Sequence, residues 1–178
     1  MNLETDRLLL RPFCKSDLDD LALFSSDEET MRFVSAPLTR EQVAGVIDWF
    51  MGEWNRLGYG WFAVMEKPAN RLIGQCGLQS MEGSVESTDA ELAFVIDRKK
   101  WGRGYAVEAA REVIKFGFGP GGLQRIVAVT LAENLHPQQI LSQLGFRRVD
   151  INSMHEPELT YYELTKTRFL ADATQHVS

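Results

Sequence analysis

The chain has 178 residues, 44% of them hydrophobic and 25% charged, a balance that suits one globular domain with a genuine core and excludes disordered and fibrous classes. Nineteen Lys and Arg stand against 25 Asp and Glu, giving a net charge of -6, the wrong balance for a nucleic-acid binder that works by neutralising phosphates and a suitable one for drawing in a basic small molecule or peptide. The opening residues carry Glu4 and no apolar h-region, so they do not read as a secretory signal, and the longest apolar runs, such as Leu92 to Ile96, fall far short of the roughly 18 residues a membrane span needs.

In chain order, Arg7 to Arg11 before Pro12 reads as an opening strand, and Ser16-Asp17-Leu18-Asp19 as a capped helix start. Thr39 offers a second cap, after which Val43, Val46, Ile47, Phe50, Trp54 and Leu57 recur at helical spacing up to Gly58. The period then becomes that of strands: Gly60 to Met65, a turn at Lys67 to Asn70, and Arg71 to Leu78 form a hairpin. An acidic loop, Glu82 to Glu91, runs into Ala90 to Ile96, which is apolar on both faces and so predicts a central strand. A helix with small residues on one face, Ala106, Ala109, Ala110 and Gly117, follows Gly104 and ends at Pro120-Gly121-Gly122. Arg125 to Leu131 is the next strand, Pro137 pre-sets a short helix ending at Gly145, and Phe146 to Val149 and Thr160 to Thr165 close the order. The expectation is a mixed α/β domain over residues 1–170 with a sheet of about six or seven strands, and a frayed tail over residues 171–178.

Cys14 and Cys76 lie far apart without C-x-x-C spacing, so neither a disulfide framework nor a zinc site is expected, and the chain is read as cytoplasmic. His136, His155 and His176 are scattered without supporting carboxylates, and no metal is expected. The informative stretch is Asp97 to Ala106. Arg98, Lys99, Lys100 and Arg103 put four cations within six positions of an acidic chain, while Gly102 and Gly104 allow close backbone approach ahead of a helix N-terminus. Strand, glycine turn, helix start and basic rim describe a pyrophosphate cradle; a solvated basic turn with glycines serving only a tight connection is the alternative.

Ala90 to Ile96 followed by Trp101-Gly102-Arg103-Gly104-Tyr105-Ala106-Val107-Glu108-Ala109 resembles motif A of the GNAT acyl-CoA N-acyltransferases, in the branch containing ribosomal-protein N-terminal acetyltransferases. Thr5 to Pro12 resembles that branch's opening strand, Leu72 to Leu78 its third strand, and Asn134 through Phe146 its motif B. The resemblance implies a single-domain, mostly antiparallel sheet with helices on both faces and a parallel central strand pair splayed to hold acetyl-CoA. It implies that the backbone of Phe94, Val95 and Ile96 pairs with the pantetheine arm and that Gly102, Arg103, Gly104, Tyr105 and Ala106 hold the pyrophosphate. Lys99, Lys100 and Arg103 would reach the 3′-phosphate, and Asn134 would contact the pantetheine region. The same likeness makes Glu91 the candidate base for a primary amine acceptor, either a protein N-terminus or a small molecule; an anchoring anion or a plain strand-end carboxylate are the other roles open to it. Asp89, two residues earlier on the strand, should share its face.

Relatives place a tyrosine or a serine where this chain has Leu141 and Pro137, so no general acid is assigned, and a CoA-binding sensor or interaction module without efficient catalysis is the competing reading. An unrelated nucleotide-binding α/β protein is a third. Trp54, Tyr59, Trp61 and Met81 are candidates for the acceptor pocket, with Trp54 also on a core-packing stripe. Homodimers are common in the family; nucleic acid and membrane are not expected partners.

Overall fold

The computed structural model describes residues 1–81, 87–150 and 158–175, with the side chains of 173–175 excepted. Residues 82–86, half of the acidic loop, lie outside the described residues together with His155 and His176. The order is β1 (Leu3–Glu4), β2 (Leu8–Pro12), α1 (Leu18–Ser25), α2 (Glu28–Met31), α3 (Arg40–Leu57), β3 (Trp61–Glu66), β4 (Arg71–Ser80), β5 (Asp89–Ile96), α4 (Tyr105–Phe118), β6 (Arg125–Leu131), α5 (Leu135–Gln143), β7 (Arg147–Val149), β8 (Leu159–Thr165) and α6 (Lys166–Gln175).

One sheet runs β1-β2-β3-β4-β5-β6-β8-β7, antiparallel throughout except for the parallel pair β5 and β6. Among the described residues it has eight strands rather than six or seven, because the two-residue β1 adds an edge too short to leave a period in the sequence. The parallel step needs a long crossover, and α4 supplies it. Each face of the sheet carries its own core. All six residues of β3 are buried because its alternation feeds both: Phe62 and Val64 pack beneath α4, with Ile114 and Phe116, while Trp61, Ala63 and Met65 pack beneath α1 and α3, with Phe24, Ile47 and Phe50. The central hairpin and the small-faced helix stand as expected; Ala109, Ala110 and Gly117 are buried against the sheet.

Thr39 caps α3 in a reciprocal box with Gln42, and the helix closes at Gly58 in the left-handed conformation. The start of α1 differs from expectation: a 3₁₀ turn over Lys15–Asp17 precedes it, and the reciprocal cap joins Cys14 to Asp17. α5 begins at Leu135, so Pro137 occupies its third position, still in the first turn where a missing N–H leaves no intrahelical bond unmade. α6 carries the chain to Gln175, through part of the segment expected to fray, and its Phe169 ring lies 5.3 Å from that of Phe118.

Candidate active site

The parallel pairing of β5 and β6 covers three residues: Asp89 with Arg125, Ala90 with Ile126, and Glu91 with Val127. Beyond that point β5 runs on to Ile96 hydrogen-bonded to β4, and β6 runs on to Leu131 hydrogen-bonded to β8, so the two strands part like a fork. Glu91 is the last paired residue of β5 and stands at the vertex. The cavity between the prongs is lined by residues 91–95 and 128–131, with Trp61 and Gln75 towards α3 and with Asn134, Pro137 and Leu141 brought by α5. It shares Phe94, Val95 and Asn134 with a second cavity that reaches Trp101 and Ala106, and this in turn shares Ile96, Trp101 and His136 with a third around Lys100, Gly102 and Gly104.

That third cavity sits at the N-terminus of α4. Gly102 and Gly104 hold φ of +72° and +77°, a left-handed region costly for any side chain, and Gly104 is the N-cap. The turn thereby directs the N–H groups of Tyr105, Ala106 and Val107 outward. As first-turn donors they have no intrahelical acceptor, and the helix dipole adds partial positive charge at the same place. The glycines are therefore required by backbone conformation more than by crowding, since a Cβ at Gly102 would meet nothing within 4 Å.

Two braces fix this turn to the sheet. Glu66, buried at the end of β3, accepts from Lys100 Nζ at 2.5 Å and from the Tyr105 hydroxyl at 2.7 Å. The Lys100 ammonium, seconded by the Tyr105 hydroxyl, holds the Glu66 carboxyl below the usual carboxylate range, while the Glu66 contact and burial push the Tyr105 hydroxyl up. On the other side Arg7 pairs with Glu108, donates to the Arg103 carbonyl at 2.9 Å and lies 4.5 Å above the Tyr105 ring. Glu108 also accepts from Thr5. Burial alone would raise the Glu108 carboxyl, but the Thr5 and Arg7 contacts outweigh it and leave it lowered. The expected cradle residues thus divide. Gly102, Gly104 and Ala106 line the cavity, Lys99 and Arg103 are exposed beside it, and the side chains of Lys100 and Tyr105 are committed to Glu66.

Glu91 is half-buried and accepts from Gln79 Nε2 at 2.9 Å. Asp89 shares its face but is paired with Arg125 at 2.5 Å, so the strand presents one carboxylate to the cavity. Of the aromatic candidates, Trp61 lines the fork. Trp54 instead donates to the Trp61 carbonyl at 2.8 Å and packs edge-on against Phe62, Tyr59 is buried in the core beneath α4, and Met81 is exposed at the end of β4. Leu141 and Pro137, at the positions where the resemblance implies a phenol or a hydroxyl, both line the fork; among its described lining residues Thr130 carries the hydroxyl. Residues not singled out from sequence include Arg7, Glu66, Gln79, Glu108 and Trp101, whose indole donates to the Ile96 carbonyl at 2.6 Å. Their partners are dozens of positions away in most cases, so only Trp101, inside the basic segment, left a local signal.

A fork of two parallel strands that opens onto glycine-shaped helix-terminal N–H groups is the architecture of an acyl-CoA-dependent transferase, and the comparisons agree. The acetyltransferase (GNAT) domain family matches residues 7–147, and the chain belongs to that family of enzymes. A Bacillus licheniformis protein named "Uncharacterized N-acetyltransferase p20" is 30% identical over 175 residues, 94% of this chain and 90% of its own length. A Bacillus anthracis GNAT acetyltransferase structure is similar with a TM-score of 0.81 at 25% identity, covering 94% of this chain and 99% of that one. The ribosomal-protein-S5-alanine acetyltransferase of Vibrio fischeri shares the fold, with a TM-score of 0.77 at 15% identity over 95% of this chain and 98% of that one. The family uses acetyl-CoA, and this chain fits it: from Leu92 to Ile96 β5 has no strand partner on its β6 side, and the α4 turn offers N–H groups without an intrahelical acceptor where a diphosphate would lie.

Proposed function

We propose that the enzyme moves an acetyl group from acetyl-CoA directly to a primary amine, a protein N-terminus or a small-molecule amine, within a ternary complex, with Glu91 as general base. The observation that carries this reading is the place of Glu91 at the fork vertex, where the acceptor mouth meets the groove between β5 and β6. Acetyl-CoA supplies a thioester-activated acyl group. The backbone of Phe94, Val95 and Ile96 pairs with its pantetheine arm as an added strand, and Asn134 contacts the same region. The N–H groups from Gly102 to Ala106 hold the pyrophosphate, while Lys99 and Arg103, exposed at the rim, meet the 3′-phosphate; Lys100 acts chiefly through Glu66, keeping the turn in place.

An ammonium has no lone pair, so Glu91 takes one proton from the bound amine, directly or through a water. The amine nitrogen then forms the new N–C bond as the C–S bond breaks; the nitrogen gives its second proton to solvent on becoming the amide, and the thiolate leaves. Gln79 holds the Glu91 carboxylate in orientation. Leu141 and Pro137 make that end of the fork apolar, so this chain offers no phenol there and the thiolate takes its proton from solvent. The net charge of -6 favours a cationic acceptor, and a cytoplasmic setting fits two free thiols, Cys14 and Cys76.

Glu91→Gln keeps the Gln79 contact geometry but cannot take a proton. It is expected to lower kcat on a panel of primary amines by about 10²- to 10⁴-fold, the usual worth of a positioned base. Acetyl-CoA affinity, read by calorimetry, should stay within about twofold. An unchanged rate removes Glu91 as the base.

A further inference from the structure

Arg98 opens the basic segment before α4, but its side chain is committed to α2: its Nε pairs with Asp27 at 3.3 Å, and its backbone N–H donates to Thr30 Oγ1 at 3.2 Å. Asp27 is also the N-cap of α2, accepting from the Thr30 N–H at 2.8 Å. Three contacts thus close a ring that ties α2 to the segment leaving β5. A four-residue helix cannot hold itself, and α2 keeps its place through this ring and through Met31, which is buried in the same cluster as Val95 of β5. The side chains of Arg98 and Asp27 are 49% and 30% exposed, so their pairing adds little to stability; what it fixes is position.

What α2 positions is an apolar wall. The Met31 carbonyl accepts from the Val34 N–H at 2.8 Å and the Ser35 N–H at 3.1 Å, and this turn brings Phe33 and Val34 to the fork cavity, which both line together with Glu91. They stay 38% and 53% exposed there, apolar area left for an occupant to cover. Ala93 and Val95, on the Glu91 face of β5 by strand alternation, continue the apolar lining. Among the described lining residues Glu91 carries the only charge, so the cavity suits one ammonium with an apolar chain; a second ammonium would leave water without a counter-charge. Phe33 and Val34 also border the groove beside Phe94, Val95 and Ile96. Acetyl-CoA, however, has its main holds on β5 and α4, whereas the amine has Glu91 and this wall.

We propose that Phe33 and Val34 select amines bearing an apolar chain, and that Asp27 and Arg98 act as a positioning pair that sets this wall against Glu91. The proposal rests on the reading of the fork as the amine site.

Ethylamine and 3-methylbutylamine differ in apolar bulk alone, and the readout is the ratio of their kcat/KM values at saturating acetyl-CoA. Wild type is expected to favour 3-methylbutylamine about tenfold, and the Phe33→Ser/Val34→Ser variant about twofold or less. Asp27→Asn keeps a capping oxygen and Arg98→Gln keeps the backbone N–H to Thr30, so each removes the ion pair alone. Each is expected to lower the ratio about threefold through KM for 3-methylbutylamine, the double variant no further than either single one, and Arg98→Lys is expected to restore it. The kcat and the acetyl-CoA Kd, the latter read by calorimetry, should stay within twofold in the Asp27 and Arg98 variants. Equal kcat/KM for the two amines in wild type overturns the apolar wall. A ratio unmoved by Arg98→Gln, or additive losses in the double variant, overturns the positioning pair, and a loss of acetyl-CoA affinity with the ratio intact overturns both by placing the wall on the cosubstrate side. Transfer to neither amine, nor to any of a wider amine panel, would instead overturn the amine-transfer reading and this inference with it.

Discussion

At the scale of single residues, Glu66 couples the sheet to the glycine turn before α4. Its carboxylate satisfies two donors on either side of Gly102 and Gly104, so the turn is held at Lys100 and Tyr105 rather than left to its own glycines. Glu66→Gln leaves the Lys100 ammonium without its counter-charge and is expected to cost about 1–3 kcal/mol of stability and to weaken acetyl-CoA binding severalfold, measured by urea unfolding and calorimetry. The pH dependence follows from sign. The folded-state Glu66 carboxyl is lowered, chiefly by Lys100, so its contribution is fully present above the unfolded value of about 4.3 and is lost as pH falls through the lowered folded value. Glu108 acts in the same direction, as does Asp17, whose burial is outweighed by the Arg11 contact. Urea midpoints should therefore fall between pH 5 and pH 3 in wild type and fall less steeply in Glu66→Gln. None of these pairs is legible in the sequence: Arg7 and Glu108 stand 101 positions apart and Glu66 and Tyr105 39 apart, and no periodicity relates residues that meet only through the sheet.

Among the elements, α4 and the turn before it carry the most chemistry per residue. Gly104→Ala forces a side chain into a φ of +77°, with an expected cost of about 1–2 kcal/mol; because the new Cβ would meet only Arg7 at an ordinary 3.6 Å, the fold should survive. The relief available to the chain is to rotate the turn, which misdirects the N–H groups of Tyr105 and Ala106. Acetyl-CoA should bind about tenfold more weakly while thermal unfolding stays cooperative; unaltered binding would show that these donors do not hold the diphosphate. This element was readable because several local signals coincide in it: a two-faced apolar strand, a basic glycine turn and a run of small residues at helical spacing. The same holds for α3, with its cap, stripe and closing glycine, and for the hairpin of β3 and β4. β1 and α6 were not readable, for opposite reasons. β1 is too short to show a period, and α6 is polar along most of its length and gains its place through Phe169. The fork left no mark on either strand by itself; it came into view through likeness to the family, since where two parallel strands part is decided by what packs between them. Glu91 was legible as a carboxylate on a central strand, whereas the packing of Trp61 across Gly77 is set by a register that no local signal supplies.

For the whole molecule, the strongest expectation concerns ligand-linked stability. Acetyl-CoA at one hundred times its Kd adds about 2.7 kcal/mol to the native state, and in a domain of this size that corresponds to a rise in Tm of roughly 5–10 °C. ATP and NAD at equal concentration should leave Tm unchanged; a rise with either of them and not with CoA would show that the fork and turn serve another nucleotide. The outer edges of the sheet are short, two residues at β1 and three at β7, and offer little to a neighbouring chain seeking a strand to pair with. The longer stretches that lack a strand partner on one side are internal: Leu92 to Ile96 on β5 and residues 128–131 on β6, which part from one another at the fork. The backbone that would be most prone to aggregation on an outer rim is thus folded inward, and the cleft narrows its access to slender, extended partners.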